Sequence, residues 1–209
     1  MDLTNSQRLA KLAGHLMRHP GNLPRYISQN LISRKAPVEL ELPWFSYGAI
    51  DFLQNYLRLD TRVFEFGSGG STLFFAQRAQ SVVSVEDNAQ WCEIVAGQIA
   101  RDGFKNADLR HIPVEFTTEE AFEKSDYLNA VLESTFDVIV VDGTDWTANV
   151  RPICFEVAEK QIAPGGVIVV DDSWRYHELQ SRSRARRFEV FESVGPARYG
   201  VTSTDVYFY

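Results

Sequence analysis

Cysteine is scarce in this chain: two in 209 residues, Cys92 and Cys154. Both fall in apolar segments that read as helical. Two such thiols build neither a disulfide framework nor a zinc cluster, so each is expected as a buried, reduced side chain. Long apolar runs are missing too. No stretch approaches the roughly 20 residues needed to cross a bilayer. The first residues lack the uninterrupted apolar segment of a secretory signal, and the expectation is a cytoplasmic protein. Excess positive charge is also absent. Lys and Arg number 21 against 28 Asp and Glu, a net charge of −7. That balance argues against broad binding to nucleic acid, which depends on neutralising phosphates. No repeat or low-complexity tract stands out, and the hydrophobic share of 44% suits a soluble chain with a real core.

The charge is unevenly spread. Residues 1–36 contain Arg8, Lys11, Arg18, Arg25, Arg34 and Lys35 against a lone Asp2. A basic, partly amphipathic segment of this kind suits peripheral docking on an anionic membrane surface or a partner. It equally suits a solvated helical extension that packs on the domain or lines a homodimer contact. Leu9, Leu12 and Leu16 recur at helical spacing within residues 3–18, and His19-Pro20-Gly21 stops that helix. A second short helix is predicted over 24–33, and Pro37 and Pro43 bracket an extended connector. Residues 1–43 thus read as a helical N-terminal extension, and 44–209 as one domain.

From Trp44 to Leu57 the pattern is helical, with Ile50, Leu53 and Leu57 on one side. Strands and helices then alternate. Strands are predicted at 62–66, 81–85, 109–114, 136–141 and 165–170, and helices at 71–79, 89–100, 117–133 and 151–161. The helical stretch 117–133 is expected to cover the site. Two last strands, near 188–193 and 205–209, have no helix between them. Their link holds Gly195, Pro196 and Gly200, which suits an antiparallel hairpin at the sheet edge. The expected fold is α/β, Rossmann-like and doubly wound: a mainly parallel seven-stranded sheet with an antiparallel C-terminal hairpin. Ligands in such folds bind at the carboxyl ends of the strands, near the switch point.

The most informative segment runs from Val63 to Thr72, where Val63-Phe64-Glu65-Phe66 enters Gly67-Ser68-Gly69-Gly70-Ser71-Thr72. A buried strand leads into a glycine-rich turn and then a helix, so the backbone can approach a ligand closely. Twenty-one residues after Glu65, at the end of the second strand, stands Glu86, an acid placed to accept hydrogen bonds from ribose hydroxyls. Thr72 occupies the position where a dinucleotide-binding loop carries its third glycine. The Gly-Lys-Ser/Thr ending of a phosphate-binding P-loop is also absent. A carboxylate at Glu65 would repel a pyrophosphate and suits a cationic amino-acid moiety.

On these residues the chain resembles the class I S-adenosylmethionine-dependent methyltransferases, over roughly residues 45–209. Glu65-x-Gly67-x-Gly69 resembles the family's first motif, and Glu86 its ribose-binding acid. The resemblance implies S-adenosylmethionine as cofactor. Glu65, Gly67 and Gly69 would surround its methionine part, with Ser68 and Ser71 beside them. Glu86 would hold the ribose, the adjacent Asp87 is a further cofactor-binding candidate, and Glu115, just past the third strand, stands where an acidic group could meet the adenine.

Asp142 follows the fourth strand, and Asp171 and Asp172 follow the fifth. Three unpaired carboxylates brought together are electrostatically costly, and a hard divalent cation would relieve them. The spacing resembles that of magnesium-dependent O-methyltransferases of small molecules, which implies Asp142, Asp171 and Asp172 as ligands of Mg2+. The metal would hold a substrate hydroxyl and lower its pKa. The chain departs from catechol-type relatives in two places. Asp145 stands where they carry a lysine base, and Gly143 replaces a larger side chain. The metal-free alternative has Asp142 contacting cofactor or substrate, Asp171 capping a helix and Asp172 paired with Arg175. A general base would be Asp145 or His177.

On the substrate side, Trp44, Phe45 and Tyr47 either close over the ligand or pack in the core, and Tyr127 is a further candidate. Arg182, Arg184, Arg186 and Arg187 form either an anion site or a solvated face. The Asn/Asp-Pro-Pro-Tyr motif of base-amino methylation is absent. The leading expectation is therefore methyl transfer to an oxygen of a small metabolite. A nicotinamide-dependent oxidoreductase and a non-catalytic cofactor-binding protein are the alternatives.

Overall fold

The computed structural model describes residues 4–33, 35–114, 117–145 and 149–209. Helix α1 (Asn5–Arg18) starts at a capping box in which Thr4 and Gln7 exchange side-chain and backbone hydrogen bonds. Helix α2 (Leu23–Tyr26) continues directly into a π-helical stretch, Ile27–Ile32. The expected extended connector instead contains a short helix, α3 (Pro37–Leu40). Pro37 suits a first helical position, and Glu39 accepts from the Ala36 amide at 2.8 Å. Helix α4 (Tyr47–Tyr56) begins at Ser46, whose hydroxyl caps it.

The α/β part then unfolds as β1 (Arg62–Phe66), α5 (Gly70–Ala76), β2 (Ser81–Glu86), α6 (Ala89–Asp102) and β3 (Ala107–His111). The predicted 117–133 helix is broken into α7 (Glu119–Glu123), α8 (Asp126–Asn129) and a 3-10 turn at Ala130–Glu133. The break follows from Ser125, which caps α8 by accepting from the Leu128 amide. Next come β4 (Phe136–Val141), α9 (Val150–Ala158), β5 (Ile162–Asp171), α10 (Leu179–Arg182), β6 (Arg187–Val194) and β7 (Val201–Phe208). Strand β5 starts earlier than expected because a bulge between Phe136 and Val138 absorbs the Pro164-Gly165-Gly166 turn.

The strands form one sheet in the order β3-β2-β1-β4-β5-β7-β6. Strands β1 to β5 pair in parallel, and β7 runs antiparallel to both β5 and β6. The expected seven-stranded sheet with an antiparallel C-terminal hairpin is what the chain forms.

The central strands are apolar on both faces because both are covered. Phe64, Phe66, Ile139 and Val141 point to a core shared with Cys154 and Phe155 of α9. Val63, Val138, Val140 and Val167 point to the opposite core, with Ile50 and Leu53 of α4 and Phe74 and Phe75 around α5. Truncating one of the buried phenylalanines to alanine is expected to cost about 3–5 kcal/mol. Both cysteines are buried and unbonded to each other. Among the described residues no helix is long and apolar enough to cross a membrane.

Candidate active site

The tips of β1, β2, β4 and β5 open onto one cavity of about 520 Å³, within the usual range for small-ligand sites. Its lining joins Gly67, Ser68, Gly69 and Ser71 with Glu86, Asn88 and Trp91, and faces these with Asp142, Arg151, Asp171, Asp172 and Arg198. Pro37 and Trp44 close one rim.

The glycine loop is shaped by close approach. Gly67 has φ +98°, and a Cβ there would meet the backbone of Asp142 and Gly143 at 3.1 Å. Beneath the loop lies Glu65, 1% exposed and outside the cavity lining. Its carboxylate accepts from Thr72 Oγ1 at 2.7 Å and from Ser84 Oγ at 2.9 Å. Thr72 Oγ1 in turn accepts from the Gly69 amide at 3.1 Å. Glu65 therefore holds the loop through a hydroxyl relay. Burial, only partly offset by these neutral donors, pushes its carboxyl up to about 7.

Glu86, 5% exposed, stands at the end of β2 and does line the cavity. It accepts from Ser68 Oγ at 2.7 Å and from the Asn88 amide at 3.0 Å. Burial raises its pKa against those two bonds. Asn88 also caps α6 by accepting from the Trp91 amide, and Trp91 Nε1 donates to the Ser68 carbonyl at 2.9 Å. Sequence reasoning missed Trp91 and Asn88. The capping position of Asn88, two residues after Glu86, was the available signal.

Beside the main cavity lies a small recess lined by Asp87, Val114, Phe122, Tyr127, Thr144 and Val150. Asp87 accepts from Thr144 Oγ1 at 3.0 Å. The Tyr127 hydroxyl is buried without a hydrogen-bond partner, and it fills the space a Cβ on Gly143 would need. A larger residue at position 143 is thus replaced by the tyrosine. Glu115, expected near the adenine, lies outside the described residues.

On the opposite wall the three aspartates do converge, but guanidinium groups meet them. Arg151, from the first turn of α9, lies 3.1 Å from Asp142 Oδ1. It also donates to the carbonyls of Gly143 and Asp171, both at 2.9 Å, tying the tips of β4 and β5 together. Arg198, from the β6–β7 turn, donates to Asp172 Oδ1 at 2.8 Å and approaches Asp171 Oδ2 at 3.5 Å. Asp171 also accepts from Thr204 Oγ1 at 2.7 Å, and Asp172 from Thr202 Oγ1 at 2.9 Å.

Burial pushes Asp142 up to about 6 against the pull of Arg151. Burial and the neighbouring Asp142 and Asp172 hold Asp171 well above the usual carboxylate range. Burial also disfavours charge on Asp172, but Arg198 outweighs it and keeps that carboxyl below its ordinary value.

The three aspartates expected as ligands of Mg2+, Asp142, Asp171 and Asp172, are thus brought together, but they are not the unpaired carboxylates of the metal expectation, because Arg151 and Arg198 lie against them. Among the described residues no group of three or more His, Cys, Asp and Glu side chains is placed to hold a metal ion. Asp172 pairs with Arg198, where the metal-free alternative had Arg175.

The two candidate bases stand apart from the cavity lining. Asp145 is bonded by the Tyr176 hydroxyl and lies 3.9 Å from Arg175. His177 is exposed. Trp44 is half exposed, and its ring lies under Arg198 at 4.7 Å. Phe45 and Tyr47 are fully buried in the core instead of closing over the cavity. Arg182, Arg184 and Arg187 pair with Glu156, Glu159 and Glu189 on an exposed face away from the cavity.

Comparison with solved structures returns the same architecture. The O-methyltransferase TomG from Streptomyces achromogenes, solved with SAM, aligns at 19% identity and TM-score 0.63, over 90% of this chain and 95% of that one. An O-methyltransferase from Bacillus cereus, solved with SAH, aligns at 18% identity and TM-score 0.62, over 89% and 96%. An rRNA methylase from Streptococcus thermophilus aligns at 14% identity and TM-score 0.56, over 83% and 96%. No curated protein sequence matches the chain. The family model described as a methyltransferase domain matches residues 64–173. That span covers more than half of the chain and runs from β1 through the acidic wall, and the chain belongs to the methyltransferase-domain family.

Proposed function

We propose that this protein transfers a methyl group from S-adenosylmethionine to an oxygen of a small metabolite, with arginines rather than a metal ordering the acceptor side. One observation carries the reading: a single cavity is bounded by the glycine loop and Glu86 on one wall and by Asp142 on the other.

The residues present fit the cofactor. Glu86, already oriented by Ser68 and Asn88, would accept the ribose hydroxyls. The base would pack against the recess of Val114, Phe122 and Tyr127 beside Asp87. The loop Gly67–Ser71 would take the amino-acid end, and the Glu65 relay keeps that loop in shape. When bound, S-adenosylmethionine supplies a methyl group made electrophilic by its positively charged sulfur.

Asp142 is the cavity carboxylate best suited to accept a proton from the acceptor hydroxyl. It lines the cavity, and burial pushes its carboxyl up to about 6, close to a working pH. Arg151 fixes its position and stabilises its ionised form. Arg198 keeps one buried N–H, on Nε, without a partner at the cavity edge, and this group would hold a polar atom of the acceptor. The protein's share of catalysis is then orientation and proton acceptance. Thr72 in place of the dinucleotide loop's third glycine and the match to the methyltransferase-domain family disfavour the oxidoreductase reading. The acidic wall and net charge of −7 disfavour a nucleic-acid acceptor.

The test is incubation with S-adenosylmethionine and a panel of hydroxylated metabolites, with and without EDTA, followed by mass spectrometry. The expected result is S-adenosylhomocysteine plus an acceptor heavier by one CH2, at a rate EDTA leaves unchanged. Methylation of nitrogen only, or turnover abolished by EDTA and restored by Mg2+, would contradict the proposal.

A further inference from the structure

The helix formed by α2 and its π-helical continuation is amphipathic in an inverted sense. Its polar side chains Arg25, Gln29 and Asn30 face the protein. Asn30, 3% exposed, donates to the carbonyls of Tyr26 and Gly195 and accepts from the Arg198 amide. Gln29 accepts from the Tyr47 hydroxyl at 2.8 Å. Arg25 pairs with Asp51 at 2.6 Å and lies over the Tyr47 ring at 4.1 Å. Of its apolar side chains Tyr26 packs in the core, whereas the aliphatic ones face outward. Leu23, Ile27, Leu31 and Ile32 are 41%, 37%, 51% and 73% exposed. In a helix anchored by polar contacts, a solvent-facing apolar row marks a surface that meets something apolar.

Charge selects the occupant. Residues 1–36 carry six Lys and Arg and one acid, while the remainder carries fifteen Lys and Arg and twenty-seven acids. Arg8, Arg18 and Lys35 of that segment are exposed. In a symmetric dimer through this face, the two cationic segments would oppose each other. An anionic lipid surface offers both an apolar interior for the Leu/Ile row and negative headgroups for the cations. The neighbouring loop adds Tyr199, 73% exposed, one residue from Arg198. The ring of Trp44, 50% exposed, lies under Arg198. Aromatic side chains with one wet and one apolar end favour a bilayer interface.

We infer that this face, built on the row Leu23–Ile27–Leu31–Ile32 and flanked by Arg18 and Lys35, docks the protein on an anionic lipid bilayer. Because Asn30 bonds the Arg198 backbone and Trp44 and Arg198 line the cavity, docking brings the cavity rim close to the bilayer. The inference is independent of the methyl-transfer reading.

The test is co-sedimentation of the full chain with vesicles of phosphatidylcholine containing phosphatidylglycerol, against vesicles of phosphatidylcholine alone. Binding is expected to the anionic vesicles, at least about tenfold tighter than to neutral ones, and weakened when salt is raised from about 0.1 M to about 0.5 M. The double variant Ile27→Glu/Leu31→Glu should bind at least about tenfold more weakly. Its thermal melt should stay close to that of the wild type, since Leu31 is half exposed and Ile27 more than a third exposed. Arg18→Glu/Lys35→Glu, which leaves the apolar row intact, should also weaken binding. Failure to bind anionic vesicles, equal binding to neutral ones, or a wild-type dimer that Ile27→Glu/Leu31→Glu dissolves without any vesicle binding would each overturn the inference.

Discussion

The glycine-loop wall and the acidic wall of the cavity both gather carboxylates, and they stabilise them by different means. On the first wall, Glu65 and Glu86 receive only neutral donors: hydroxyls of Thr72, Ser84 and Ser68 and one backbone amide. On the second, Asp142, Asp171 and Asp172 face two guanidinium groups. Burial raises the carboxyl pKa values on the first wall, and the neutral donors only partly offset it, so a ligand that brings positive charge would favour the ionised carboxylates there. Arginines leave the second wall nearly charge-balanced and fix its side chains in place. On the proposed reading, the first wall takes the cationic cofactor and the second orients a neutral acceptor.

Four substitutions test that contrast. The largest effect is expected from Asp142→Asn, which removes proton acceptance at the acidic wall. Its kcat should fall about 10²–10⁴-fold with little change in cofactor affinity; unchanged kcat in steady-state assays would remove Asp142 from that role.

Arg198→Met should cost about 3–5 kcal/mol in urea unfolding, since it strips the partner from Asp171 and Asp172. A neutral outcome would mean that these carboxyls are not held by the arginine.

Glu65→Gln probes the other wall through pH. The Glu65 carboxyl lies above its ordinary value of 4.5, at about 7 in the folded protein. The folded state therefore holds a proton that the unfolded chain has released. The contribution of Glu65 to stability is fully present below pH 4.5 and is lost as pH rises toward 7. The variant should gain on the wild type by about 3 kcal/mol across that window. A constant difference between the two melting profiles would contradict the burial argument.

The smallest effect is expected from Glu86→Ala, with cofactor affinity weakened about tenfold or more through the loss of charge-assisted hydrogen bonds. Unchanged affinity by titration would sink its assignment to the ribose.

The glycine-loop wall was legible in the sequence because its parts are local. Strand, turn, helix and following strand lie within residues 62–86, and the period of the apolar residues announces each one. The acidic wall was legible only in part. The ends of β4 and β5 placed Asp142, Asp171 and Asp172 together, but the partners that set their chemistry come from elsewhere. Arg198 reaches Asp172 across 26 residues, from a turn with no periodic signal. Its arrival depends on β7 inserting between β5 and β6, an order that an antiparallel hairpin alone does not determine. Thr72 was read as a missing glycine, whereas its hydroxyl links the loop to Glu65. That role needs the side-chain geometry of a buried network. The helix at 24–33 was foreseen, but its inverted face was not, because inward-facing Asn30 and Gln29 find their partners on Tyr47 and the β6–β7 turn.

The central claim concerns the ligand of the glycine-loop wall, and isothermal titration of the purified protein with S-adenosylhomocysteine, NAD and NADP tests it most directly. The account predicts saturable binding of S-adenosylhomocysteine alone, weakened in Glu86→Ala. Binding of NAD or NADP in its place would contradict it.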